Sequence, residues 1–356
     1  MFGQPKKNLM FNILEVLKQY TDENHRLSQK EIIDILRKQY EIKADRKSIK
    51  TNLMNLIDFG YDINYSTKVK TVKDKKTGKD VETEILSDFY LIRDFSDSEL
   101  RYIIDGIICS THLPAKQSKE IAEKIENLSS NYFRARVKHM TTMMANGEEK
   151  TDNKQIFYNI DIIDEAIEKG KKIKFKYAKY DSSKQLKANK NDKGEYKEYI
   201  MSPYQMAACK GKYYLICNMD KFDDVANYRI DRIMDIEILD EKARKFSELK
   251  TSNGKRFDLN EYMKEHIFMY SGKSVQVKLR MGKSMISTMI DEFGKSGLKF
   301  TDEDEEKVSV RLKVNEKAII QFAKNYAPWV MVESPKDIKE KVMEDLQYAL
   351  DEYKKI

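Results

Sequence analysis

Hydrophobic and polar positions change period along the chain, and each change marks an element. Over residues 7–20, Leu9, Ile13, Leu14 and Leu17 recur every three or four positions, the stripe of an amphipathic helix. A second helix starts at Ser28, where Ser28 and Glu31 have capping-box spacing ahead of Ile32, Ile33 and Leu36. A short turn leads to Asp45, the expected N-cap of a third helix over 46–59, with Ile49, Leu53, Leu56 and Ile57 inward and Gly60 as its stop. The period then falls to two. Residues 61–65 and 68–73 alternate, and 81–85 can pair back across a lysine-rich tip.

Three helices followed by a hairpin outline a winged helix-turn-helix, assigned to residues 1–95. Ser96 and Glu99 then cap a helix reaching about Cys109, another follows Pro114, and 141–153 reads as an exposed connection; 96–153 is a helical linker. A helix over 154–169 ends at Gly170, and short strands follow at 171–177, 199–201, 213–218, 227–230 and 233–239, with a long polar hairpin loop over 180–195. Close strand spacing suggests a small barrel within 154–256. In 257–356 a connector helix precedes strands at 275–279, 308–314 and 329–332 and helices from 284, 315 and 335, which suits β-α-β-β-α-β and a ferredoxin-like sandwich with a trailing helix. The expected class is multidomain α+β.

Composition narrows the function. The 356 residues carry 66 Lys+Arg against 59 Asp+Glu, a net +7, too small a surplus to name a partner by itself. Its position says more: residues 1–86 hold 17 basic and 13 acidic side chains, and 17 − 13 = +4 is over half of it. No run of about 18 apolar residues would span a membrane, and the start lacks a small-residue cleavage site. Three scattered cysteines and four isolated histidines fit neither a disulfide framework nor a metal site. A cytoplasmic protein without metal or cofactor is expected.

No enzyme signature stands up. Gly272-Lys273-Ser274 and Gly282-Lys283-Ser284 read G-K-S, but a phosphate-binding loop needs a glycine five residues earlier, where Ile267 and Val277 stand. On the third helix, burial of Ile49, Leu53 and Leu56 puts Lys47, Lys50, Thr51 and Met54 on the opposite face, with Arg46 near the N-terminus. Alone, this is either a solvated helix face or a DNA-reading one. Its place in a helix-turn-helix favours base and phosphate contact in a major groove. Lys70, Lys73, Lys75 and Lys76 on the hairpin would add phosphate contacts that set register.

The central segment carries the most specific pattern. It has Lys174-Phe175-Lys176-Tyr177, Ser202-Pro203-Tyr204, Tyr213-Tyr214-Leu215 and Tyr228-Arg229-Ile230-Asp231-Arg232-Ile233, in that order. This resembles the WYL domain, an Sm-like, SH3-type barrel named for Trp-Tyr-Leu, with Tyr213 in place of the tryptophan. The resemblance implies a bacterial transcription regulator whose barrel senses a ligand, in several cases nucleic acid or a nucleotide-like molecule. Family proteins often carry a basic residue where Tyr199 stands. The implied ligand contacts are Tyr177, Ser202, Tyr204, Lys210, Tyr214, Arg229 and Arg232. Arg229 and Arg232 offer guanidinium forks to phosphate; on a straight strand they would face opposite ways, so a turn near Asp231 is expected. The tyrosines can stack a base or simply fill the core.

The expected function is sequence-specific binding of a double-stranded operator by a homodimer, of a repressor type, modulated by a nucleic-acid or nucleotide-like effector. The alternative is a nucleic-acid-binding accessory protein of an effector or defence complex.

Overall fold

The computed structural model describes residues 8–73, 80–144 and 150–356. Two compact units emerge, Met1–Ser110 with Ala115–Lys150, and Thr111–Pro114 with Thr151–Ile356.

The first unit begins with α1 (Leu9–Tyr20), α2 (Gln29–Tyr40) and α3 (Arg46–Phe59), then the antiparallel hairpin β1 (Ile63–Lys73) and β2 (Asp80–Leu91). The capping box at Ser28 forms in full, so two backbone donors of α2 are satisfied locally. Ile13, Leu17, Ile32, Leu36, Ile49, Leu53 and Phe89 are completely buried together. Each such side chain contributes about 1.5–3 kcal/mol of burial. Leu27 pairs with Phe89 through the backbone and ties the start of α2 to the hairpin. Next come α4 (Asp97–Ile108), α5 (Ala115–Glu126) and α6 (Asn131–Met144), packed around Leu100, Ile104, Ala122, Phe133 and Val137. The connection expected over 141–153 is therefore partly helix, because α6 runs on to Met144.

In the second unit α7 (Ile156–Lys169) ends at Gly170, whose left-handed backbone (φ 60°) releases the chain into a six-stranded antiparallel sheet. Its strands are β3 (Lys171–Tyr180), β4 (Leu186–Ala188), β5 (Glu198–Cys209), β6 (Lys212–Asn218), β7 (Ala226–Arg229) and β8 (Ile233–Lys242). They pair in the order β4-β3-β5-β6-β7, and β8 pairs with β3. The expected barrel is not closed: among the described residues no ladder joins β7 to β8. A single 3-10 turn, Ile230–Arg232, links them, and its carbonyls bond to side chains instead of to a neighbouring strand. The polar loop after β3 contains β4, which the lysine-rich sequence does not suggest.

Beyond α8 (Leu259–Glu265), the chain forms β9 (Ser274–Gly282), α9 (Ile286–Phe293), β10 (Lys299–Asp302), β11 (Lys307–Asn315), α10 (Glu316–Asn325), β12 (Val330–Ser334) and α11 (Lys336–Tyr353). This is the β-α-β-β-α-β order with a trailing helix, in an antiparallel sheet ordered β10-β11-β9-β12. Alternation along β9 and β11 sends Val277, Leu279, Met281, Val308, Val310 and Leu312 into one core with Phe322 and Ile338. His266, just after α8, is buried and stacked on Tyr262 with ring centroids 3.9 Å apart.

Candidate functional site

Asp45 caps α3, its Oδ1 accepting from the Ser48 amide at 2.9 Å, and Gly60 ends it at φ 110°. With Ile49, Leu53 and Leu56 buried, Arg46, Lys47, Lys50 and Thr51 lie exposed on one face. Among the described residues, none of these three cations forms an ion pair. The first turn of α3 contains no acidic residue. Cations there oppose the helix dipole, while a phosphate would be favoured. Met54 does not join this face; it is half-buried against the core. On the hairpin, Lys68 pairs with Asp88 at 2.9 Å. Lys70 and Lys73 lie on β1 opposite Thr83 and Asp80, whereas Lys75 and Lys76 fall outside the described residues.

The second unit gathers a different set of cations. The chain turns at Asp231, as two arginines three positions apart require if they are to share a side of the sheet. Arg229 is held by two bonds to Asp231, Nε to Oδ1 at 3.0 Å and an Nη to Oδ2 at 2.6 Å, and Asp231 is 1% exposed. Burial opposes the Arg229 charge, but Asp231 outweighs it and the guanidinium pKa is raised. The Arg229 backbone amide donates to the Tyr177 hydroxyl at 3.2 Å, and Tyr214 sits across the ladder from Arg229. Arg232 lies with its guanidinium 5.9 Å from the Tyr180 ring, and its buried Nε has no hydrogen-bond partner. Lys212 completes the group. Burial, and then the like charges of Arg229 and Arg232, lower its pKa. Arg229 and Arg232 thus act as like charges on Lys212, Asp231 as the opposite charge, and Arg232 keeps an unmet guanidinium donor. Such an arrangement suits a phosphate.

The tyrosines divide by role. Tyr177 meets Tyr228 edge-on at 4.9 Å, and both join Phe175 and Tyr199 in one aromatic cluster. Tyr199 accepts a bond from Asn189 Nδ2 at 3.0 Å and is structural.

Three expected ligand contacts lie elsewhere. Ser202 is fully buried, and its Oγ accepts from the Arg244 amide at 2.9 Å. Tyr204 packs on Phe246 and Phe257, and burial raises its phenol pKa. Lys210 pairs with Glu292 on α9, its ammonium 4.3 Å from the Phe268 ring centre. A register shift between Pro203 and Gln205 interrupts the simple alternation along β5, and the lysine of the Lys210-Gly211 turn (φ 47° and 71°) reaches Glu292 on α9. Reasoning from sequence missed Lys212, although its i, i+2 spacing from Tyr214 on one strand face would have found it. Both G-K-S lysines are paired with carboxylates, Lys273 with Glu316 and Lys283 with Asp302, each at 3.3 Å. Among the described residues no cluster could hold a metal ion, and no helix is long and apolar enough to cross a membrane.

The family profile of the WYL domain matches residues 158–238, the segment from α7 into β8 that carries Tyr177, Lys212, Arg229 and Arg232. The second unit carries a WYL domain. A comparison with curated proteins finds no match. Among solved structures, the chain is similar to the proteasome accessory factor B/C (PafBC) of Arthrobacter aurescens, at 12% identity and TM-score 0.29, covering 98% of this chain and 49% of that one. It thus spans about half the length of PafBC. It is also similar to a CRISPR Cas-related protein, at 14% identity and TM-score 0.38, covering 99% of this chain and 82% of that one. Likenesses this distant leave the WYL domain as the firm assignment.

Proposed function

We propose that this protein is a non-enzymatic, DNA-binding transcriptional regulator whose WYL domain binds a nucleic-acid or nucleotide-like effector through Lys212, Arg229 and Arg232. The first unit acts as a winged helix-turn-helix, with α3 entering the major groove of a double-stranded operator. One observation carries the reading. Exposed cations without an ion-pair partner among the described residues cover the outer face and N-terminal turn of α3, in a chain that also holds a WYL domain. Arg46 and Lys47 in the first turn oppose the helix dipole, and none of these cations has an ion-pair partner among the described residues, which supports a polyanionic partner. The operator reader works as a homodimer, since a two-fold dimer matches a near-palindromic site. Repression by operator occupancy is the proposed mode. The effector acts by differential affinity for the operator-competent and operator-incompetent arrangements.

The test is binding of the full chain to duplex DNA from upstream of its own gene, titrated with salt. Lys47→Ala with Lys50→Ala should weaken binding and flatten the log–log salt slope by about 0.9 for each phosphate no longer neutralised. An unchanged slope and affinity would remove α3 from the interface.

A further inference from the structure

The turn between Arg229 and Arg232 lies between two strand pairings, Arg229 with Tyr214 and Ile233 with Tyr177, and its own residues Ile230–Arg232 join no ladder. Within this 3-10 turn the Ile233 amide bonds to the Ile230 carbonyl. Buried carbonyls left unmet are costly. Two side chains meet them. Asn153 Nδ2 donates to the Asp231 and Ile233 carbonyls at 3.0 and 2.8 Å, and Asn159 Nδ2 donates to those of Ile230 and Ile233 at 3.3 and 2.9 Å. Both asparagines are buried, Asn159 completely. Asn153 is itself fixed, its Oδ1 accepting from the Gln155 amide at 2.9 Å. The Oδ1 of Asn159 has no partner, so only the donors of that amide are used. An apolar residue would pack in the same place without this cost.

The clamp governs where the guanidiniums point. Asp231 accepts from Arg229 through both carboxylate oxygens, and among the described residues no hydrogen bond or ion pair joins it to Arg232. Arg232 Nε has no partner, and Lys212 lies two residues along β6 from Tyr214, which pairs with Arg229; the shape of the turn sets where Arg232 points relative to them. If the turn relaxed into extended strand, positions 229 and 232 would face opposite sides and the cation group would disperse.

We propose that Asn153 and Asn159 are positioning residues for the anion site: they grip the Ile230–Arg232 turn by its carbonyls and so aim Arg232 at a bound phosphate alongside Lys212 and Arg229. The proposal rests on the reading of that cluster as a phosphate site.

A double-mutant cycle on the full chain tests it, with a fluorescein-labelled single-stranded oligothymidylate as the probe and polarisation as the readout. Asn153→Ala and Arg232→Ala should each weaken binding by about tenfold, the scale of one missing charge-assisted hydrogen bond. Asn153→Ala should add little further loss in the Arg232→Ala background, while its effect on thermal stability stays the same in both. If Asn153→Ala fails to fold, Asn153→Ser, which keeps one donor, takes its place with a smaller expected loss. Losses that multiply in the double variant would overturn the positioning role and leave the phosphate site standing. Unchanged binding in Arg232→Ala alone would overturn the phosphate site, and the proposal with it.

Discussion

The two units handle positive charge in opposite ways. On α3 the cations are exposed, without ion-pair partners among the described residues, and set against the helix dipole, supported only by the buried Ile49, Leu53 and Leu56 beneath them. In the WYL domain the arginines are half-buried, one locked to a buried aspartate and the other carried on a turn clamped by two buried amides. The first arrangement suits a long polyanion that supplies its own charge along a groove. The second is preorganised, with Arg229 fixed by Asp231 and a buried Arg232 donor left unmet, which suits a compact anion such as a phosphate group. Mutations should therefore affect binding and stability together in the second unit and separately in the first.

The largest effect tests that coupling. Asp231→Ala strands Arg229 in a buried setting, and loss of one partner of a buried pair costs about 3–5 kcal/mol. Thermal or denaturant unfolding of the second unit should show this as a large fall in stability. A fall below about 1 kcal/mol, the scale of an exposed pair, would mean that the arginine is not braced. Lys47→Ala with Lys50→Ala should leave stability within about 0.5 kcal/mol, as surface changes do, yet cost duplex affinity. Parallel loss of stability would erase the contrast. A smaller effect has the opposite sign. Lys47→Glu places an acid in the first turn of α3 and should raise stability by about 0.3–1 kcal/mol while removing duplex binding. A destabilised variant would show that Lys47 supports the fold.

The smallest expected effect concerns pH. Burial is the main cause that lowers the His266 pKa in the folded chain. The unfolded chain then holds more protons just below the ordinary histidine pKa of about 6.5, so stability should fall as pH drops from there toward the lowered value. His266→Gln should flatten that part of a denaturation-versus-pH curve. An unaltered curve would rule out His266 as its source.

How much of this can be read from sequence depends on the kind of regularity involved. Helical period and capping chemistry place α2, α3 and the α3 face, because Ser28, Asp45 and Gly60 act within a few residues of themselves. Alternation finds β3, β9 and β11, and the i, i+3 conflict between Arg229 and Arg232 points to the turn at Asp231. Met54 marks the limit of helical period, since it lies at the edge of the buried stripe. Ser202, Tyr204 and Lys210 fall away from the arginines because the β5 irregularity and a tight turn change side-chain direction without any sequence period. Asn153 and Asn159 are invisible for another reason. Their partners lie 71 to 80 residues away, and nothing local marks an asparagine as a clamp.

The central claim is that the two cation sets serve two different nucleic-acid ligands. Polarisation of the full chain with two labelled probes, an upstream duplex and a single-stranded oligothymidylate, tests it directly. Lys47→Ala with Lys50→Ala should weaken duplex binding at least tenfold and leave the single strand unchanged, and Arg232→Ala with Lys212→Ala should do the reverse, each tenfold step being about 1.4 kcal/mol. If both pairs of substitutions weakened both probes alike, or neither probe responded, the assignment of separate sites would be contradicted.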